Sequence, residues 1–168
     1  MNIKLRKQCS GMGLIGWVVT IPVVLVVIAF LFCEANKAYW DHKVTEMCEK
    51  DGGVVVHEKI QILKEQYPKL ISSSGNVMIP NLSNANSDDP YYITFTELII
   101  REKNPKVRRA ETKIIRRLDS KILSLRISYS RGGGDFPTII AAPSSFSCRN
   151  IENINTSLIK STFSIKGV

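Results

Sequence analysis

Of the residues in this 168-residue chain that could do chemistry, the cysteines have the most telling placement. Cys9 and Cys33 flank a long apolar run, whereas Cys48 and Cys148 bracket the more polar remainder. In an oxidising compartment the second pair can form a disulfide. The bond would close a loop of about 100 residues, which the chain-entropy relation values at roughly 4–5 kcal/mol. The alternative is two buried free thiols. In either case the spacing excludes a sequence-local zinc motif of the C-x-x-C kind. Cys33 follows Phe32, where lipoprotein processing wants a small residue, so lipidation there is not expected.

Catalytic candidates are few. His42 and His57 are the two histidines, and neither has a metal-type partner at useful spacing. Ser144 and Ser145 follow Pro143 without a G-x-S-x-G context. Asp88-Asp89 falls in a polar loop that keeps carboxylates solvated. The expectation is no catalytic residue, no metal and no cofactor. The stretch Arg131-Gly132-Gly133-Gly134-Asp135 admits two readings. Its backbone N–H groups could form an anion-binding nest. Alternatively it is a structural turn that needs positive φ, with Asp135 bonding local backbone. It lacks the Lys-Ser/Thr ending of a phosphate loop, and Pro137 opposes a helix start, so the turn is favoured.

Between Arg101 and Arg131 there are eleven Lys or Arg against Glu102, Glu111 and Asp119. Strand alternation puts Arg109, Lys113 and Arg117 on one side, with Arg108 and Arg116 on the other. The first set is the candidate face for an anionic surface or a protein partner. The rival reading is a solvated strand face whose charges guard an edge. No nucleic-acid motif accompanies these charges, so nucleic acid is not an expected partner.

What must position these residues begins with the N-terminal run. No charged residue or histidine occurs between Gln8 and Cys33, and Leu14 to Cys33 is nearly all apolar. Twenty helical residues span about 30 Å, the thickness of a bilayer's hydrocarbon core. The run is apolar on every side, unlike a surface helix, and longer than a signal-peptide core of about 7–15 residues. We read it as an uncleaved signal anchor, and Pro22 is tolerable inside such a helix. The net charge is +8, of which Lys4, Arg6 and Lys7 supply +3 ahead of the run. Lys37 and Lys43 flank the other side, and the positive-inside rule then sets the N-terminus in the cytoplasm by a narrow margin. Tyr39 and Trp40 fall near the outer interface and Trp17 nearer the inner one.

Residues 34–50 continue as a helix, with Trp40, Val44, Met47 and Cys48 on one side, and Gly52-Gly53 stops it. Val54–Leu63 alternates and reads as one strand. Residues 72–90 are Ser/Asn-rich and read as a loop, with one short strand at Val77–Ile79 at most. Tyr91–Lys103 is a strong strand that Asn104-Pro105 breaks. Val107–Leu118 follows, then an Asp119-Ser120 turn, then a clear alternation over Ile122–Ser130. Short turns between successive strands favour an antiparallel meander. Residues 151–168 hold scattered apolar side chains and are either a short strand or disordered.

Three landmarks occur in order: Cys48-Glu-Lys-Asp-Gly-Gly53, Tyr129-Ser-Arg-Gly-Gly-Gly-Asp-Phe-Pro137 and Pro143-Ser-Ser-Phe-Ser-Cys148. With them the chain resembles a group of small uncharacterised bacterial proteins that carry an N-terminal hydrophobic segment. That resemblance implies a cell-envelope location and no particular activity. Separately, Arg6-Lys-Gln-Cys-Ser-Gly11 before Met12 looks like a type IV prepilin leader cut after Gly11. It departs from that pattern at Gly16, where such leaders place Glu.

The expected architecture is α+β. Residues 1–12 are a basic cytoplasmic tail, 13–33 a transmembrane helix and 34–51 a stalk helix. Residues 52–150 form a mainly antiparallel β domain outside the cytoplasm, and 151–168 are a tail. The expected function is non-enzymatic binding or scaffolding at the bacterial inner membrane. Its partners are the lipid bilayer and envelope proteins or an anionic envelope surface. The alternatives are a pilin-like assembly subunit and an envelope-polymer hydrolase.

Overall fold

A computed structural model describes residues 14–63, 68–72, 76–136, 142–151 and 157–166. The basic N-terminal tail, Cys9 and the prepilin-like leader lie outside the described residues, as do Pro137 and parts of the tail.

One uninterrupted helix, α1, runs Leu14–Asp51 and contains Pro22. The segments expected as span and stalk are thus a single rod. From Trp17 to Phe32 its side chains are exposed, and the helix is long and apolar enough to cross a membrane. Its second half behaves differently. Val44 and Cys48 are fully buried, with Trp40 and Met47 packed beside them, so the predicted stripe is the face that meets the sheet. The helix ends where expected, and Gly52 takes the close turn there. A Cβ at Gly52 would lie 2.5 Å from the Cys48 carbonyl oxygen.

The main sheet is built from β1 (Gly53–Val56), β3 (Tyr91–Arg101), β4 (Lys106–Arg116), β5 (Ile122–Gly132) and β6 (Ser145–Ser147). Its order is β1-β5-β4-β3, with β6 also paired to β5, and every pairing in it is antiparallel. The hairpins β3–β4 and β4–β5 form the expected meander around the predicted breakers. Bulges interrupt both ladders, one near Ile99–Arg101 and one near Ile114–Ile115.

One expected segment comes out differently, and the C-terminal segment takes the strand alternative expected of it. The run read as one strand over Val54–Leu63 is two. β1 stays in the main sheet, and β2 (Ile60–Leu63) leaves it to pair in parallel with β7 (Phe163–Lys166). The break has a physical cause: His57 and Glu58 both donate their N–H to the Leu123 carbonyl, which ends the ladder. The polarity alternation continues through this point, so periodicity could not reveal it. The C-terminal segment carries the short helix α2 (Leu158–Thr162) followed by β7, and Leu158 and Phe163 are buried in the core.

Hydrophobic packing falls into two clusters. The near cluster, where α1 lies on the sheet, joins Val44, Cys48, Val107, Tyr129 and Cys148. The far cluster joins Ile62, Leu70, Ile79, Tyr91, Ile114, Leu123, Leu158 and Phe163. Tyr91 meets Phe163 edge-on with centroids 5.2 Å apart. Register sets Val107 opposite Arg131, and Arg109 opposite Tyr129, on one face. Ile93, Ile114 and Ser124 lie in register on the other.

Candidate functional site

The near end is assembled from α1, the start of β4, the end of β5 and the glycine turn that follows. Cys48 and Cys148 are bonded, with Cα atoms 5.5 Å apart and a sequence separation of 100. The Tyr129 N–H points to the Cys148 sulfur at 3.1 Å, so the link is seated against β5. Cys33, on the bare half of α1, is free.

Arg131 is 2% exposed and organises the turn. Its Nε donates to Asp41 Oδ1 at 2.5 Å. Its Nη1 donates to the Gly133 carbonyl, and both Nη atoms reach Ser144 Oγ at 3.2 Å. Ser144 in turn donates to Asp135, from Oγ at 2.7 Å and from its N–H at 2.6 Å. Lys37 lies 2.6 Å from Glu34 and 3.5 Å from Asp135. The hydrogen bonds from Ser144 hold the Asp135 carboxyl below its usual range, and Lys37 adds to the effect. Its hydrogen bond to Glu34 raises the Lys37 ammonium. Gly133 and Gly134 adopt φ of 77° and 93°, values that favour glycine. Charges alternate along this network and each meets a partner, so it is suited to fixing α1 against the turn. The hydroxyl of Ser144 is already committed to Asp135 and Arg131.

A second network lies along the same sheet face. The Tyr129 hydroxyl donates to Asp51 at 2.8 Å and accepts from Arg109 Nε at 3.1 Å. Arg109 also pairs with Glu111, which takes Lys113 at 3.0 Å. Burial, then the nearby Asp51 carboxylate, pushes the Tyr129 phenol up. Of the three basic residues singled out by alternation, Arg109 and Lys113 are therefore brought together on one carboxylate. Arg117 stands apart, donating to the Asp89 carbonyl at 2.9 Å and lying 5.1 Å over the Tyr92 ring. His42 lies 3.3 Å from Glu46 on the solvent side of α1, and His57 is exposed after β1.

The least satisfied surface is β3. It is the outer strand of the main sheet, and beyond Ile93, which meets Asn81 and Pro80, no strand pairs with its outer side among the described residues. Phe95 is 64% exposed, and Leu98, Ile99 and Ile100 are also exposed. An open groove of about 490 Å³ runs beside it, lined in part by Leu82, Ile93 and Phe95. An unpaired row of backbone donors and acceptors flanked by apolar side chains can accept an added strand.

Sequence reasoning singled out Cys48, Cys148 and Asp135, and named Arg131 only as part of the basic stretch and of the glycine turn. It missed Lys37 and Asp41, because charges on a helix read as solvated, and it did not single out the β3 edge. The signal for the edge was present: Leu98-Ile99-Ile100 breaks the alternation expected of a half-buried strand. Comparison with protein-family models, curated proteins and solved structures finds no match for this chain.

Proposed function

We propose that this chain is a non-enzymatic, single-pass protein of the bacterial inner membrane. Its N-terminus is cytoplasmic, and its disulfide-closed β domain lies outside the cytoplasm, binding or scaffolding envelope proteins through the open β3 edge. The observation that carries this reading is the contrast within α1. Sixteen consecutive residues, 17–32, are exposed on a helix whose later turns are buried against the sheet. Each large apolar side chain left in water forgoes roughly 1.5–3 kcal/mol of burial, so the first half needs an apolar medium. Lys4, Arg6 and Lys7 support the orientation, and the disulfide supports an oxidising compartment. The resemblance in the three sequence landmarks supports an envelope location.

The test is the intact mass of the membrane-purified protein, alkylated with and without prior reduction. Full-length mass, with Cys48 and Cys148 protected until reduction, is the expected result. Four freely alkylated thiols would overturn the exported domain and return the basic strands to a cytoplasmic role. A pilin-like subunit is the second reading, favoured by the continuity of α1, since a bare apolar half-helix can also bury itself against copies of its own kind. An N-terminus at Met12 in the same spectrum would establish the leader cleavage which that reading requires.

A further inference from the structure

The near end of the β domain touches α1 lower than a domain standing clear on a stalk would. The Phe136 ring, directly after the glycine turn, lies 6.1 Å from the ring of Phe30, which belongs to the uncharged run. On the other side the Asn36 side chain donates to the Asn104 carbonyl at 3.3 Å, in the β3–β4 hairpin. Arg101, at the end of β3, lies 4.8 Å over the Trp40 ring. Phe30 and Asn36 are each three residues from Cys33, so on a helix they sit about 4.5 Å to either side of it. A headgroup layer is roughly 5–7 Å deep on each side of the hydrocarbon.

We infer that the domain has a lipid-seated foot. Phe136 enters the acyl boundary beside Phe30, and the hairpin tip at 102–105 lies among the headgroups. The inference rests on the reading of α1 as a membrane anchor, and the occupant it commits to is the outer surface of the same bilayer. The foot is built to keep its depth. Arg131 and Asp135 tie the turn before Phe136 to Asp41 and Lys37 on α1. The turn also presses on the hairpin, since a Cβ at Gly134 would lie 3.1 Å from the Pro105 ring. Charge suits the location as well. Lys103 and Lys106 flank the tip and are exposed, and lysines near a membrane surface are drawn to anionic headgroups.

Site-directed spin labelling of the full-length protein tests this. The background is Cys9→Ser with Cys33→Ser, in vesicles of phosphatidylcholine and phosphatidylglycerol. Labels are placed through Phe136→Cys, Asn104→Cys, Phe30→Cys and Phe95→Cys, one at a time. Each label's accessibility to oxygen, which partitions into lipid, is compared with that to a water-soluble nickel chelate. The label at 136 is expected to match the one at 30, with an oxygen-to-nickel ratio several-fold above that at 95. Position 95 lies roughly 20 Å farther along β3 than Arg101. A ratio at 136 equal to that at 95, with 30 still lipid-exposed, overturns the foot and leaves the anchor standing. A water-exposed label at 30 overturns the anchor and the foot together. Should Phe136→Cys fail to fold, Asn104→Cys decides alone: a ratio between those at 30 and 95 is expected, and one equal to that at 95 overturns the inference.

Discussion

The two ends of the domain are held by different physics. The far cluster is a conventional core: eight buried hydrophobic residues from the sheet, β2, β7, α2 and the connecting loops. Among the described residues Thr162 brings buried polar contacts there, its hydroxyl lying 2.7 Å from both the Leu158 carbonyl and the Ser124 hydroxyl. The near cluster is smaller, and specific links reinforce it, a disulfide and a buried guanidinium with its partners. Apolar burial is non-directional and supplies stability. Covalent and charge-assisted links constrain geometry. The molecule places the second kind where the helix must meet the sheet at one angle and one depth.

The largest expected break is removal of the disulfide. Cys48→Ser with Cys148→Ser reopens a loop of 100 residues, and about 4–5 kcal/mol of stability is expected to go with it. Chemical denaturation measures the loss. Native-state hydrogen exchange should show amides around Val107 and Tyr129 opening well before those around Ile114. Equal opening at both ends would mean that they form one cooperative unit.

Leu123→Ala is the matching break at the far end. Leu123 is fully buried, so a loss of about 3 kcal/mol is expected, with the Cys48–Cys148 bond still formed in non-reducing mass analysis. Slightly smaller is Arg131→Ala, at about 2–3 kcal/mol for the loss of its charge-assisted hydrogen bonds. Its signature is geometric, because the turn at 131–135 loses its tie to Asp41. Proteolysis after Arg149 or near Phe136 should accelerate while the far core keeps its exchange protection.

The smallest effect is acid sensitivity. Hydrogen bonds from Lys121 and Arg116 hold Glu58 below its ordinary 4.5. A hydrogen bond from Arg116 brings Asp119 from 3.8 to about 2. Carboxylates lowered in the folded state stabilise it fully above their ordinary values and lose that contribution as pH falls through the folded ones. Stability should therefore decline from about pH 4.5 toward 2, with a shallower slope in Asp119→Asn. Asp119 is exposed and Glu58 half-buried, so added salt should flatten the same slope.

Much of this division was readable in advance. The apolar run, the buried stripe Trp40-Val44-Met47-Cys48 and the strands around 91–132 follow from periodicity and from the breakers Gly52-Gly53, Asn104-Pro105 and Asp119-Ser120. Burial periodicity reports which face is covered, but not what covers it. The parallel pairing of β2 with β7 joins segments about 100 residues apart in the chain, and Asp41 meets Arg131 across 90 positions. Such contacts leave no local trace, and a lone helical aspartate looks solvated until its partner is known. Asp135 was legible because a glycine run demands a turn and a turn demands bonds for its carboxylate. Ser144, the partner that supplies those bonds, was not.

That α1 is one helix from Leu14 to Asp51 has a mechanical meaning. Thirty-eight residues make a rod of about 57 Å, clamped to the sheet over its last turns and without a joint between its two halves. Such a rod transmits tilt and torque. In the membrane setting proposed above, a bilayer that thickens, or a neighbour that leans on the inserted segment, would swing the whole domain through the same angle. A load applied at the outer strand would then be delivered back along the rod as a lever delivers it, undiminished by a hinge.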